Sequence, residues 1–80
     1  MSGPGGDAAE VDARGLRCPA PVLRAAAAAR TLPAGALLRV TATDPAAAVD
    51  LPAWARMRGH ELVTCEGTGD LVVVTVRLTG

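Results

Sequence analysis

Hydrophobic and polar positions change period several times along the chain, and each change marks an element. Over 8–13, Ala9 and Val11 alternate with Glu10 and Asp12, the two-residue period of a short, edge-like strand. The pattern then breaks at Gly15, which permits a tight turn, and Pro19 and Pro21 suit the first turn of a helix, where proline forfeits no intrahelical hydrogen bond. From Pro21 to Arg30 alanine, leucine and arginine dominate, all strong helix formers. Val22, Leu23, Ala26 and Ala29 are its expected buried face, with Arg24 and Arg30 toward solvent. Past the turn Pro33-Ala34-Gly35, alternation returns over 37–43: Leu38, Val40 and Ala42 share one face and Arg39 and Thr41 the other, predicting a half-buried strand.

Asp44-Pro45 reads as a helix cap followed by a first-turn proline, but Pro52 conflicts with an uninterrupted helix. The expectation is a short turn through Val49 and a restart capped by Asp50, with Trp54 and Met57 inward and Gly59 closing the end. His60 to Glu66 reads as a third strand, Gly67-Thr68-Gly69-Asp70 as a loop, and Leu71 to Leu78 as a fourth strand with Val72, Val74, Val76 and Leu78 on one face. The order β-α-β-α-β-β predicts an α/β (α+β) two-layer sandwich: a four-stranded mixed sheet with two helices on one face and the other open to water or a partner.

Length changes the picture in one respect. Eighty residues bury only roughly 60% of the surface their unfolded chain exposes, and with no Phe or Tyr the core must come from Val, Leu and Ala. One domain over 8–80 is expected, preceded by a flexible tail over 1–7 that lacks the basic start, apolar stretch and cleavage site of a secretory signal. With no long apolar run to cross a membrane, the expected location is cytoplasmic. Eight basic residues, every one arginine, balance eight acidic ones, so no global field draws in nucleic acid or anionic lipid. Two cysteines are too few for the disulfide framework of a small secreted domain and point to chemistry or packing.

The chemistry-bearing stretch is Asp12-Ala13-Arg14-Gly15-Leu16-Arg17-Cys18-Pro19-Ala20-Pro21, which places a thiol at a strand-to-helix turn. Partial positive charge at the helix N-terminus, with Arg14 and Arg17 nearby, is expected to favour the thiolate. Those arginines also offer bidentate contacts to acidic groups of a partner. On these residues alone Cys18 reads equally as a reactive thiol or as a small buried hydrophobe. Gly15 supplies a backbone conformation that a side chain would oppose, and Asp12 a hydrogen-bond acceptor for N–H groups in the same turn. Asp44 and Asp50 read as helix caps outside the site.

The run Asp12-x-x-Gly15-Leu16-x-Cys18-Pro19-x-Pro21 resembles the signature of the TusA/SirA sulfurtransferase family. Asp44-Pro45, Asp50-Leu51-Pro52 and Gly59-His60-Glu61-Leu62 resemble that family's second half in the same order and spacing, so the likeness spans nearly everything after the tail. The resemblance implies a sulfur carrier that accepts sulfane sulfur as a persulfide on Cys18 and relays it to an acceptor protein. Asp12, Gly15, Pro19 and Pro21 would shape the site. The implied partners are a cysteine desulfurase or another persulfide donor, and a downstream sulfur acceptor. No metal or organic cofactor is called for. Carriers of this type resemble one another whether they serve tRNA thiolation, molybdenum cofactor assembly, sulfur oxidation or selenium metabolism.

Two other classes compete. A non-catalytic protein- or RNA-binding regulatory module would use the same fold, but zero net charge and a single aromatic residue argue against direct contact with nucleic acid. A thiol–disulfide redox protein would need a resolving thiol beside Cys18, and there is none in sequence. Cys65, which the signature does not require, reads as a strand cysteine sharing a face with Glu61 and Val63. In the family fold strands one and three are opposite edges, too far apart for a Cys18–Cys65 disulfide. His60 lacks the ligand spacing of a zinc site.

Overall fold

The structure is a computed structural model that describes residues 8–79. The expected tail over 1–7 lies outside the described residues. Four strands, β1 (Ala9–Ala13), β2 (Leu37–Ala42), β3 (Glu61–Thr68) and β4 (Leu71–Arg77), form one mixed sheet in the order β1-β2-β4-β3. β1 and β2 run parallel, and β4 pairs antiparallel with both β2 and β3. Helices α1 (Ala20–Ala29) and α2 (Ala47–Arg58) pack on one face. The predicted α/β sandwich, its element order and its mixed sheet are all present.

Two central strands hold the core: β2 alternates strictly in burial, and β4 does so except at Thr75, which is buried on the opposite face. Leu38, Val40 and Ala42 of β2 and Val72, Val74 and Val76 of β4 are buried under the helices. Opposite, Glu10 meets Arg39 across β1 and β2 at 2.6 Å, and Glu61 meets Arg77 across β3 and β4 at 3.6 Å. Such cross-strand ion pairs suit a face bathed in water.

α2 departs from expectation: it runs unbroken through Pro52. The reason is packing. Interior proline costs a helix about 3 kcal/mol, whereas Ala47, Leu51, Trp54 and Ala55 form one buried stripe at helical spacing, and burying Leu51 or Trp54 alone returns about 1.5–3 kcal/mol. Pro52 cannot donate to the carbonyl of Ala48, and there the Cys65 thiol approaches at 3.8 Å. With the helix starting at Ala47, Met57 falls on its outer face and is 81% exposed, correcting the inward placement, while Trp54 is buried as expected. Leu23 is likewise exposed, because α1 turns Pro21 and Ala25 to the core. Gly59 closes α2 in the left-handed conformation with φ 78°.

In β3 the pairing slips between Leu62 and Thr64, so Leu62 sits opposite Val76 and Cys65 opposite Val74. This bulge places Leu62 and Cys65 on the helix-bearing face together, correcting the simple alternation that grouped Cys65 with Glu61 and Val63.

Candidate functional site

Parallel pairing of β1 with β2 brings Ala13 beside Ala42, so the segments leaving both strands emerge at one end of the sheet. The first, 14–19, carries the motif. A turn closes through Leu16 N–H to the Ala13 carbonyl at 3.2 Å, and Gly15 takes φ 80° at its third position, a conformation that L side chains resist. Pro19 is the N-cap residue of α1, Pro21 is buried in its first turn, and the Cys18–Pro19 peptide is cis. Cys18 therefore stands one residue before the cap, half-buried, with its side chain against the core.

The second segment stitches the first in place. Thr43 Oγ1 accepts the Gly15 N–H at 2.9 Å, and Asp44 Oδ2 accepts the Cys18 N–H at 2.9 Å. Asp44 Oδ1 also accepts from Ala46 N–H at 3.0 Å and its carbonyl from Ala47 N–H at 2.9 Å, so one residue caps the turn into α2 and holds the cysteine backbone. These bonds hold the Asp44 carboxyl below its usual range, the Cys18 N–H foremost and then that of Ala46, with Arg17 adding its charge. Asp12 binds its own turn, accepting Arg14 N–H at 3.1 Å and pairing with the Arg14 guanidinium through Nε at 2.9 Å and Nη2 at 3.0 Å. Those bonds pull the Asp12 carboxyl down to about 2.

The thiol itself is set in the opposite sense to the expected one. Burial first, then a hydrogen bond and charge from Asp50, then the charge of Asp44 push Cys18 up to about 11. Arg14 is committed to Asp12, and the charge of Arg17 acts on Asp44; neither stands among the groups that set the thiol. The expectation of thiolate stabilisation by Arg14 and Arg17 fails because α2, distant in sequence, folds its carboxylate against the sulfur.

The motif residues Asp12, Arg14, Gly15, Arg17, Cys18, Pro19 and Pro21 thus gather at one end of the sheet, and the structure adds Thr43, Asp44 and Asp50. Asp44-Pro45 and Asp50-Leu51-Pro52 were visible as motifs, yet local reading took both aspartates for caps. Asp44 closes the turn two residues ahead of the α2 N-cap, Ala46, and Asp50 lies inside α2 with its charge acting on Cys18. Arg17 borders a shallow groove with Gly15, Leu16, Thr43, Asp44 and Pro45. Cys65 lies on β3, the edge strand farthest from β1. Among the described residues no His, Cys, Asp and Glu side chains gather to hold a metal ion.

Comparison with known proteins agrees with this geometry. A family model described as sulfurtransferase TusA matches residues 9–78. The sulfur carrier protein TusA of Pseudomonas syringae pv. syringae is 53% identical over 55 residues, covering 69% of this chain and 66% of that protein, just under two thirds of its length. The sulfur carrier protein TusA of Allochromatium vinosum is 42% identical over 60 residues, covering 75% of this chain and 79% of that protein. The crystal structure of a SirA-like protein from Desulfitobacterium hafniense superposes with a TM-score of 0.76 at 28% identity, covering 89% of this chain and 97% of that one. A signature cysteine at the joined ends of two parallel strands, the matching fold and the family match lead to one conclusion: this chain belongs to the TusA sulfurtransferase family.

Proposed function

We propose that the protein is a sulfur carrier that receives sulfane sulfur on Cys18 from a persulfide donor, such as a cysteine desulfurase, and passes it to an acceptor thiol on a second protein. The observation that carries this reading is Cys18 itself. It is a half-buried thiol whose backbone is fixed by Asp44 at the mouth of two loops, in a chain of a sulfurtransferase family.

In the loading step the Cys18 sulfur attacks the outer sulfur of the donor persulfide. A new S–S bond forms on Cys18, the donor's S–S bond breaks, and its electron pair leaves on the donor thiolate, so no net oxidation occurs. The proton that Cys18 gives up neutralises the departing donor thiolate, so charge balances across the step. In the free protein the thiol stays protonated, because burial and then the charges of Asp50 and Asp44 disfavour the thiolate. A donor that brings positive charge against Asp44 and Asp50 lifts this restraint at the moment of docking. The persulfide is discharged by the same exchange in reverse, with an acceptor thiolate attacking the outer sulfur.

Incubation of reduced protein with a cysteine desulfurase and cysteine tests the reading by peptide mass mapping. A gain of about 32 Da on the Cys18 peptide, absent from Cys18→Ser, is expected. Undiminished loading of Cys18→Ser overturns it.

A further inference from the structure

At the end of the molecule opposite Cys18, α1 and α2 finish side by side and leave a cleft. Arg30, the C-cap residue of α1, and Arg58, the last residue of α2, both line it, together with His60, Trp54, Ala26 and Ala29. Like charges facing one cavity repel unless an anion lies between them. Among the described residues neither guanidinium makes a side-chain hydrogen bond or ion pair, whereas Arg14, Arg39 and Arg77 each have a carboxylate.

Arginines near helix C-termini often serve the unpaired carbonyls there. Here several of those carbonyls are met by other groups, and among the described residues neither arginine side chain hydrogen-bonds to any of them. On α1, Arg30 N–H reaches the Ala26 carbonyl, Thr31 N–H and Oγ1 reach Ala28, and Leu32 N–H reaches Ala29. On α2, His60 N–H reaches the Ala55 carbonyl at 2.7 Å and Gly59 N–H that of Arg56 at 3.2 Å. The side chains are free for another task. His60 contributes as well: its Nδ1 accepts the Thr79 N–H at 3.1 Å, which leaves the Nε2 position as the donor of a neutral imidazole. Its ring lies 5.2 Å from that of Trp54, and Trp54, Ala26 and Ala29 add an apolar strip to the cleft's wall, with Thr79 beside it.

We propose that this cleft is a second recognition site, separate from the sulfur-bearing end, that takes an acidic peptide segment of a partner protein. Carboxylates lie against Arg30 and Arg58, each planar guanidinium matching a carboxylate by paired N–H donors. The methylene and apolar side chains of the segment lie along Ala26, Ala29 and Trp54. The apolar wall distinguishes this occupant from a free inorganic oxyanion, which would use the cations alone. The protein's zero net charge hides a local concentration of arginine: among the described residues Arg30, Arg56, Arg58 and Arg77 lie toward this end, where Glu61 is already paired with Arg77. A partner held here leaves Cys18 open at the other end.

The test is a titration of isotope-labelled protein followed by amide, indole and arginine Nε resonances. The probe is a blocked hexapeptide of alternating glutamate and leucine, compared with its glutamine counterpart and with inorganic phosphate. Saturable shifts confined to Trp54, His60, Arg30 and Arg58 are expected from the glutamate peptide and not from the glutamine one. Arg30→Gln and Arg58→Gln should each weaken binding about tenfold, the range of one charge-assisted contact at a partly exposed site. Cys18→Ser should bind as the wild type does. For wild-type protein, which needs no variant to fold, affinity should fall steeply between about 50 and 500 mM salt. Absent or dispersed shifts, salt-insensitive binding, variants that bind as tightly as wild type, or loss of binding in Cys18→Ser overturn the proposal. Saturation of the same resonances by phosphate at equal or lower concentration assigns the cleft to a free oxyanion and overturns the peptide assignment.

Discussion

Replacing Asp50 by Asn should make Cys18 react faster, although the residue belongs to a different helix from the one Cys18 precedes. The thiol stands at about 11 where an ordinary one stands at 9.0, and Asp50 is the second cause after burial, through both its hydrogen bond and its charge. Two units make the thiolate about a hundredfold scarcer at neutral pH, while a Brønsted coefficient of about 0.4–0.5 raises the reactivity of what remains, so Cys18 should alkylate about ten- to fifteenfold more slowly than an ordinary thiol. By the same arithmetic each unit recovered in Asp50→Asn speeds the reaction about three- to fourfold. Burial persists in the variant, so the full difference does not return. The assay is the iodoacetamide rate against pH in a Cys65→Ser background, which leaves one thiol. The wild-type rate should keep rising toward pH 11, and the variant should reach its plateau earlier. A wild-type rate at neutral pH matching or exceeding that of an ordinary thiol, or a variant slower than wild type, refutes the electrostatic account.

Other consequences follow from the same contacts. Asp44→Ala removes acceptors for the Cys18 and Ala46 N–H groups and should lower the midpoint of urea unfolding, with the β1–α1 loop losing hydrogen-exchange protection. Because the folded Asp44 carboxyl is depressed, its contribution is complete above the ordinary carboxylate range and is lost as pH falls through and below it; Asp44→Asn should flatten that part of the acid-denaturation curve. Gly15→Ala should cost about 1–2 kcal/mol from backbone strain alone, since nothing lies within 4 Å of the added methyl. Trp54→Ala should cost about 3–5 kcal/mol and Met57→Ala no more than about 0.5, which thermal melts will separate.

Legibility in the sequence tracked how local the determining physics was. Alternation in β2 and β4 revealed both strands and their helix-facing sides, because burial of one side of a sheet follows directly from a period of two, although it did not reveal that Thr75 is buried on the other. Gly15 and Gly59 were readable because a positive φ has few solutions in residue type. Pro52 misled because its helical penalty is local and the burial that outweighs it involves the whole sheet. In α1 alanine fits either face, so composition left open which stripe would be buried, and Leu23 went outward. The β3 bulge shifts one residue without a glycine or proline at the slip to announce it. At the site, Arg14 and Arg17 were conspicuous as neighbours of Cys18 in sequence, whereas Asp44 and Asp50 become its neighbours only through the parallel strand pair and the helix that follows.

The central claim, that Cys18 carries and surrenders sulfur, is tested most directly by loading and discharge in one reaction. The protein is loaded with isotopically heavy sulfur from a cysteine desulfurase, freed of donor, and mixed with an acceptor protein thiol while both chains are peptide-mapped over time. The account predicts heavy sulfur on the Cys18 peptide at the start, its loss at the rate at which the acceptor gains it, and no labelled intermediate on Cys65. Label residing on Cys65, or a Cys18 adduct that never leaves for a thiol acceptor, would contradict it.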